Sequence, residues 1–330
     1  MKIYGKKQGN IREENKSAVI DVLLKREATI LSMSETLGLS HTSLAKIIKE
    51  LAQKNVVQVV NYDTSFGRPS KIYGINGDCA ISCAAIFSAE KVYFYYFDMR
   101  GFQINEYISD NDYSSAEEMV DDALIRISNL KKHPRLEGKV SKYFYIGLPS
   151  DGLFGKDFGE LKSFVRSKFE DKFKNVQICI QRNCDYELVA ETKYGLLKNG
   201  EKNAVLLSVE KGVTAALLLG GEIYNTDDCR HGRFCSLWSD MRDRNGGFSP
   251  ESVEPVLKEL YFALNFLNVD NVILGGKTKQ FGNDFLNKAK SVLGDGVKVR
   301  FSVMGTEVPA PLSGAVWLAV YSTIQELMSR

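Results

Sequence analysis

The stretch from Thr29 to Pro69 constrains this chain most. Thr29 can cap a short helix that ends at Gly38, a residue free to adopt the left-handed conformation that stops a helix. Ser40 can cap a second helix over 41–54, in which Leu44, Ile47, Ile48 and Leu51 recur at i, i+3, i+4 and i+7. Thr42, Ser43, Lys46 and Lys49 fall on the opposite face. An amphipathic helix over 17–25, with Ala18, Val19, Val22 and Leu23 on one side, precedes the pair. Two strands follow, 56–62 and 71–75, joined by a turn that holds Gly67-Arg68-Pro69. Three helices and a hairpin in this order predict a winged helix-turn-helix, whose last helix enters the major groove of duplex DNA. The tip suits a minor groove: glycine lets the backbone approach, proline stiffens it, and arginine is drawn to the negative potential of a narrow A·T-rich groove. The expected DNA contacts are Ser40, His41, Thr42, Ser43, Lys46, Lys49, Arg68 and Lys71.

Charge has to be read locally. The whole chain carries 43 basic and 41 acidic side chains, a net charge of +2 that by itself argues against nucleic acid. The average hides an asymmetry, because residues 1–76 are net basic and the remainder is net acidic. A length of 330 residues allows more than one domain. The longest apolar stretches, 204–209 and 213–219, fall well short of the ~20 residues a membrane helix needs, and no apolar segment follows the basic start. The six cysteines form no disulfide pattern, so a reducing cytoplasm is the expected compartment. Cys229, His231 and Cys235 lack the paired Cys-x2-Cys spacing of a zinc site, so no metal is expected.

Beyond residue 80, β-β-β-α-β-α-β-α occurs twice in loose form. Strands are expected over 81–87, 92–97, 103–107, 143–148 and 176–180, with helices over 115–130, 160–173 and 186–197. The second set has strands over 204–209, 214–219, 222–224, 271–274 and 297–303, and helices over 249–267, 284–293 and 314–328. The pattern predicts two α/β lobes with a cleft between them. The aromatic strand 92–97 fits a buried central strand better than a base-stacking platform.

Residues 15–76, through LGLSHTSLAKIIKEL and GRPSKIYGIN above all, resemble the winged helix of ROK-family (repressor, open reading frame, kinase) transcriptional repressors. The resemblance implies an α/β fold: an N-terminal winged helix-turn-helix over 1–76, then an actin-like, sugar-kinase-like domain over 77–330. Lobe one would comprise about 77–200 with a returning helix 312–330, and lobe two about 201–311. It also implies repression of carbohydrate-related genes by a homodimer or homotetramer on a palindromic operator, with a sugar or sugar derivative as effector.

The kinase chemistry of that family is not matched. Its first phosphate loop, Asp-Ile-Gly-Gly-Thr, aligns with Ile86-Phe87-Ser88-Ala89-Glu90, and its second with Glu210 to Ala216, where only Gly212 is kept. Anchored on Glu191 and Gly195, the catalytic aspartate falls on Asn183, an amide that cannot act as a base; a shift of one residue would put Cys184 there, and a shift of two Asp185. The sugar-binding Gly-Glu-x-Gly-His pattern becomes Gly232-Arg233-Phe234-Cys235-Ser236, and the family's zinc loop has no counterpart. The expectation is therefore a regulator with no enzymatic activity and no cofactor. Its effector cleft would use Arg182, Asn183, Asp185, Gly212, His231 and Arg233, the arginines and His231 suggesting an anionic ligand. The alternatives are a sugar kinase with an added head, or a DNA-binding protein whose body only dimerises.

Overall fold

In the computed structural model, residues 8–64, 69–88, 91–109, 112–137, 139, 141–210, 212–224, 249–305 and 308–329 are described. The head contains α1 (Gln8–Lys25), β1 (Ala28–Thr29), α2 (Ile30–Leu37), α3 (His41–Gln53), β2 (Val57–Asp63) and β3 (Ser70–Ile75). Its caps follow the local chemistry. The Thr29 hydroxyl accepts from the Ser32 N–H at 3.1 Å. Gly38 takes φ 65° and donates its N–H to Ser34 O. The Ser40 hydroxyl accepts from the Ser43 N–H. Leu44, Ile47, Ile48 and Leu51 are buried against Val19, Ile20, Leu23 and Met33; burying each is worth about 2 kcal/mol. The expected two-stranded wing is a three-stranded antiparallel sheet in the order β1-β3-β2. The added strand is two residues long, too short for a period-two pattern to register, and pairs Ala28 with Tyr73.

The first body sheet is built from β4 (Ile81–Phe87), β5 (Val92–Asp98), β6 (Gln103–Ile108), β7 (Ser141–Leu148) and β8 (Gln177–Arg182), in the order β6-β5-β4-β7-β8. Helices α4 (Ala116–Leu130) and α5 (Phe158–Lys172) cover its outer face through Met119, Ala123, Ile127, Leu161, Val165 and Phe169. Strands β5 and β6 are antiparallel additions, while β4, β7 and β8 run parallel. After α6 (Asn183–Lys193) the plan repeats: β9 (Ala204–Val209), β10 (Val213–Leu219), β11 (Glu222–Ile223), α7 (Pro250–Leu267), β12 (Asn271–Gly276), α8 (Gly282–Leu293) and β13 (Lys298–Phe301), in the order β11-β10-β9-β12-β13. The last described helix is α9 (Ala310–Ser329). The aromatic strand β5 is almost wholly buried.

The two sheets exchange helices. Helix α6 follows the first sheet in the chain but packs Cys184 and Leu188 on Leu206, Ala216 and Ile273 of the second. Helix α9 follows the second sheet but packs on Ala84, Ile86, Tyr95 and Tyr145 of the first. The two helices cross in close contact: a Cβ on Gly314 would stand 1.8 Å from Tyr186 O, so only glycine fits there.

The head shares its core with α9 and the first sheet. Gln325 donates to the Ser17 hydroxyl at 3.2 Å, and the Lys54 ammonium donates to Met328 O. Asn76, at the end of the head, donates its side-chain amide to Asn55 O at 3.0 Å. Met99 N–H donates to Gly77 O just beyond it.

Candidate functional site

Two regions carry functional groups. The first is the outer face of α3. Its N-cap and buried stripe fix the helix orientation, which leaves Ser40, His41, Thr42, Ser43, Lys46 and Lys49 exposed together. Lys71 is exposed at the start of β3. Arg68 lies outside the described residues, as does Gly67.

The second region is a cavity of about 280 Å³ between the lobes. The ends of β4 and β7, the first turns of α6, the β9–β10 turn and the start of α9 surround it. Asn183 sits on its floor, on the first turn of α6. Its Nδ2 donates to Phe87 O at 2.9 Å, while its Oδ1 is buried with no hydrogen-bond partner among the described residues. Gly147 makes room for that oxygen, since a Cβ there would come within 2.4 Å of it. Gly212 also lines the cavity, facing the Asp151 carboxylate.

Glu187 lies one turn further along α6. Its carboxylate accepts from the Gly276 N–H at 3.0 Å and from the Ser208 hydroxyl at 2.9 Å. Gly275 leaves the space for it. Burial pushes this carboxyl up to about 7, and its two hydrogen bonds oppose the rise only in part. At the far end of α6, Glu191 accepts from the Ser302 hydroxyl at 2.6 Å and the Val303 N–H at 3.1 Å. The two glutamates thus seat α6 on the second lobe.

Two expected cleft residues are elsewhere. Arg182 and Asp185 are fully buried and pair through Nε–Oδ2 at 2.9 Å and a second contact at 2.5 Å. Neither lines the cavity. A fork-shaped guanidinium and a carboxylate three residues on satisfy each other across the first turn of a helix, so this arginine is not displayed to a ligand. His231 and Arg233, with Cys229 and Cys235, lie outside the described residues. Glu187, Asp151 and Lys277 were not foreseen as cleft residues. A signal was available for Glu187, because a glutamate facing the buried side of a helix, opposite a Gly-Gly strand end, needs a donor such as a glycine N–H. The described lining holds three carboxylates (Asp151, Glu187, Glu210) and one ammonium (Lys277). That is the reverse of the charge expected for an anion site. No group of metal-ligating side chains occurs among the described residues, and none of their helices is long and apolar enough to cross a membrane.

Taken together, a winged head on a two-lobed body with exchanged helices defines the ROK sugar-kinase-like α/β fold. Among solved structures, a ROK-family transcriptional regulator described as a homologue of the E. coli MLC protein matches with a TM-score of 0.67 at 12% identity, over 97% of this chain and 100% of that one. The ROK hexokinase of Thermus thermophilus matches with a TM-score of 0.54 at 15% identity, over 72% of this chain and 97% of its own. The inorganic polyphosphate/ATP-glucomannokinase of Arthrobacter sp. strain KM matches at 0.54 and 13% identity, over 73% of this chain and 98% of its own. No protein-family model matches the chain, and no curated protein does.

Proposed function

We propose that this protein is a DNA-binding transcriptional regulator whose kinase-like body has lost phosphoryl transfer and senses a small ligand in the interlobe cleft. The observation that carries this reading is the exposed polar face of α3, fixed by the Ser40 cap on a head with a three-stranded wing. The coverage of the comparisons supports it: the kinases match about three quarters of the chain, whereas the regulator matches nearly all of it, head included. In this reading α3 enters the major groove with His41, Thr42, Ser43 and Lys46 toward base edges and phosphates. Arg68 reaches the minor groove, and two copies meet a palindromic operator. Repression of carbohydrate-related genes belongs to the same proposal.

Loss of catalysis is supported by chemistry. A phosphoryl acceptor needs a base, and the cleft offers the Asn183 amide in the corresponding place. Asp185 is buried against Arg182. Glu187 is held by donors from the second sheet. The orphan Oδ1 of Asn183 is instead an acceptor for a ligand hydroxyl or amine. A ligand here touches the starts of both α6 and α9, and these helices lead to the head. Lys193, at the end of α6, stacks over Trp317 at 3.8 Å and lies in the field of Asp21 on α1. Closing or opening the cleft would thus move the seat of the head.

In vitro selection from a random duplex pool with the full chain, followed by gel shifts, tests the proposal. The expected result is an A·T-flanked palindrome bound more weakly by Lys46→Ala and Arg68→Ala. Failure to enrich any sequence overturns it. ATP-dependent phosphorylation of a hexose would establish the kinase reading. Thermal shifts that stay flat across sugars, sugar phosphates, sugar acids and amino sugars would favour the body as a scaffold alone.

A further inference from the structure

One end of the first sheet has a charge the chain as a whole does not. Strands β4, β7 and β8 begin there and β5 ends there, so residues 98–102, 131–137, 139, 141–142 and 171–176 converge beside the head junction at 76–80. These segments carry eight lysines and arginines, namely Arg100, Lys131, Lys132, Arg135, Lys139, Lys142, Lys172 and Lys174, against four acids. One of the four, Asp98, is only 1% exposed and is spent on Arg100 and Arg135. Lys131, Lys132, Lys172 and Lys174 are exposed. Lys131 and Lys172 stand at the C-terminal ends of α4 and α5, where the helix dipole favours a cation. That accounts for two of the lysines and leaves the excess of positive charge.

The end is also concave. A cavity of about 290 Å³ opens there, with Lys131, Lys172 and Lys174 on its wall. It is tied to the head through a short series of contacts. Lys139 pairs with Asp78 at the junction, at 3.2 Å, and Lys142 pairs with Glu326 of α9, at 3.7 Å. Two residues further along α9, Met328 O accepts from Lys54, the C-cap of α3. The basic end and the C-terminal end of α3 are therefore joined through a short run of side-chain contacts.

We propose that this end of the body is a second DNA-binding surface, which takes the phosphodiester backbone of duplex flanking the site read by α3. The inference rests on the reading of the head as DNA-binding. A polyanion fits the features better than a small anion, because the cationic side chains spread over three loops and converge only partly on the cavity. Backbone contacts of this kind add affinity and salt dependence without adding sequence preference.

The test uses the full chain and a selected duplex in two lengths, a core site and the same site with about 10 base pairs added on each side. The variant is Lys131→Gln, Lys132→Gln, Lys172→Gln, Lys174→Gln. A control neutralises four exposed lysines of the second lobe: Lys202→Gln, Lys279→Gln, Lys290→Gln, Lys298→Gln. Affinity is measured across a salt series, with thermal unfolding as the check on folding. The wild-type chain is expected to bind the longer duplex more tightly. The first variant should bind both lengths alike, with a slope of log K against log salt shallower by about 2–3, because each phosphate left without its cation takes ~0.9 from that slope. The control should keep the wild-type slope. Equal slopes for wild type and variant, or an equally shallow slope in the control, overturn the proposal. So does competition by millimolar inorganic phosphate at constant ionic strength with no dependence on duplex length, which would mark a small-anion site. If the wild-type chain binds no duplex, the DNA-binding reading itself falls.

Discussion

Replacing Glu187 by glutamine tests the seating of α6 through its pH dependence. The carboxyl titrates at about 7 in the folded protein against 4.5 for an ordinary glutamate. The folded state therefore holds a proton that the unfolded state has released between these two values. Stability contributed by this group is full below pH 4.5, falls as pH rises, and is lost above pH 7. At ~1.4 kcal/mol per pH unit the loss approaches about 3 kcal/mol. Glutamine keeps an acceptor for Gly276 or Ser208 and cannot ionise. The difference in unfolding free energy, variant minus wild type, should rise by about 3 kcal/mol from pH 4.5 to pH 7.5 and then level off. Thermal or urea unfolding of both proteins across pH 4.5–8.5 measures it, and subtracting the curves cancels the titration of all other groups. Parallel curves across that range would refute a buried, proton-holding carboxyl at this position.

Other outcomes follow from single contacts. Ser40→Ala removes the acceptor for the Ser43 N–H and should destabilise α3 by about 1 kcal/mol, read as faster amide exchange at Ser43 and in the first turn. Gly314→Ala should destabilise the chain despite the better helix propensity of alanine, because its Cβ meets the backbone of α6; overpacking costs about 1–3 kcal/mol, and a raised melting temperature would contradict the crossing. Asp185→Asn takes the carboxylate charge away from the fully buried Arg182 and should cost about 3–5 kcal/mol, much of it recovered by Arg182→Met with Asp185→Leu; a mild effect of the single change in urea unfolding would contradict a buried ion pair at this position.

What the sequence made legible was local. Thr29, Gly38 and Ser40 cap and stop helices by bonds to residues three or four positions away, so their roles can be read from neighbours alone. The alternation of strands and helices in the body is legible for the same reason. Strand β1 was missed because two residues carry no period. The exchange of α6 and α9 is invisible to periodicity, since an amphipathic helix does not say which sheet its apolar side meets. Arg182 and Asp185 were misplaced because a pair three apart at a helix start has the same spelling whether it faces a ligand or closes on itself. Glu187 was overlooked because its partners, Ser208 and Gly276, are 21 and 89 residues away.

The exchange of helices also bears on the order in which the molecule can be made. The inner face of the first sheet is covered by α9, and Ser82 meets Ala319 and Thr323 across more than 230 residues of chain. The head closes on the same helix. A ribosome completes the head and the first sheet long before it supplies the surface on which both rest. Ala84, Ile86, Tyr95 and Tyr145 must wait, exposed, through the synthesis of the whole second lobe. A chain broken off before residue 310 would thus carry a finished head on an open apolar sheet, a form that chaperones and proteases recognise.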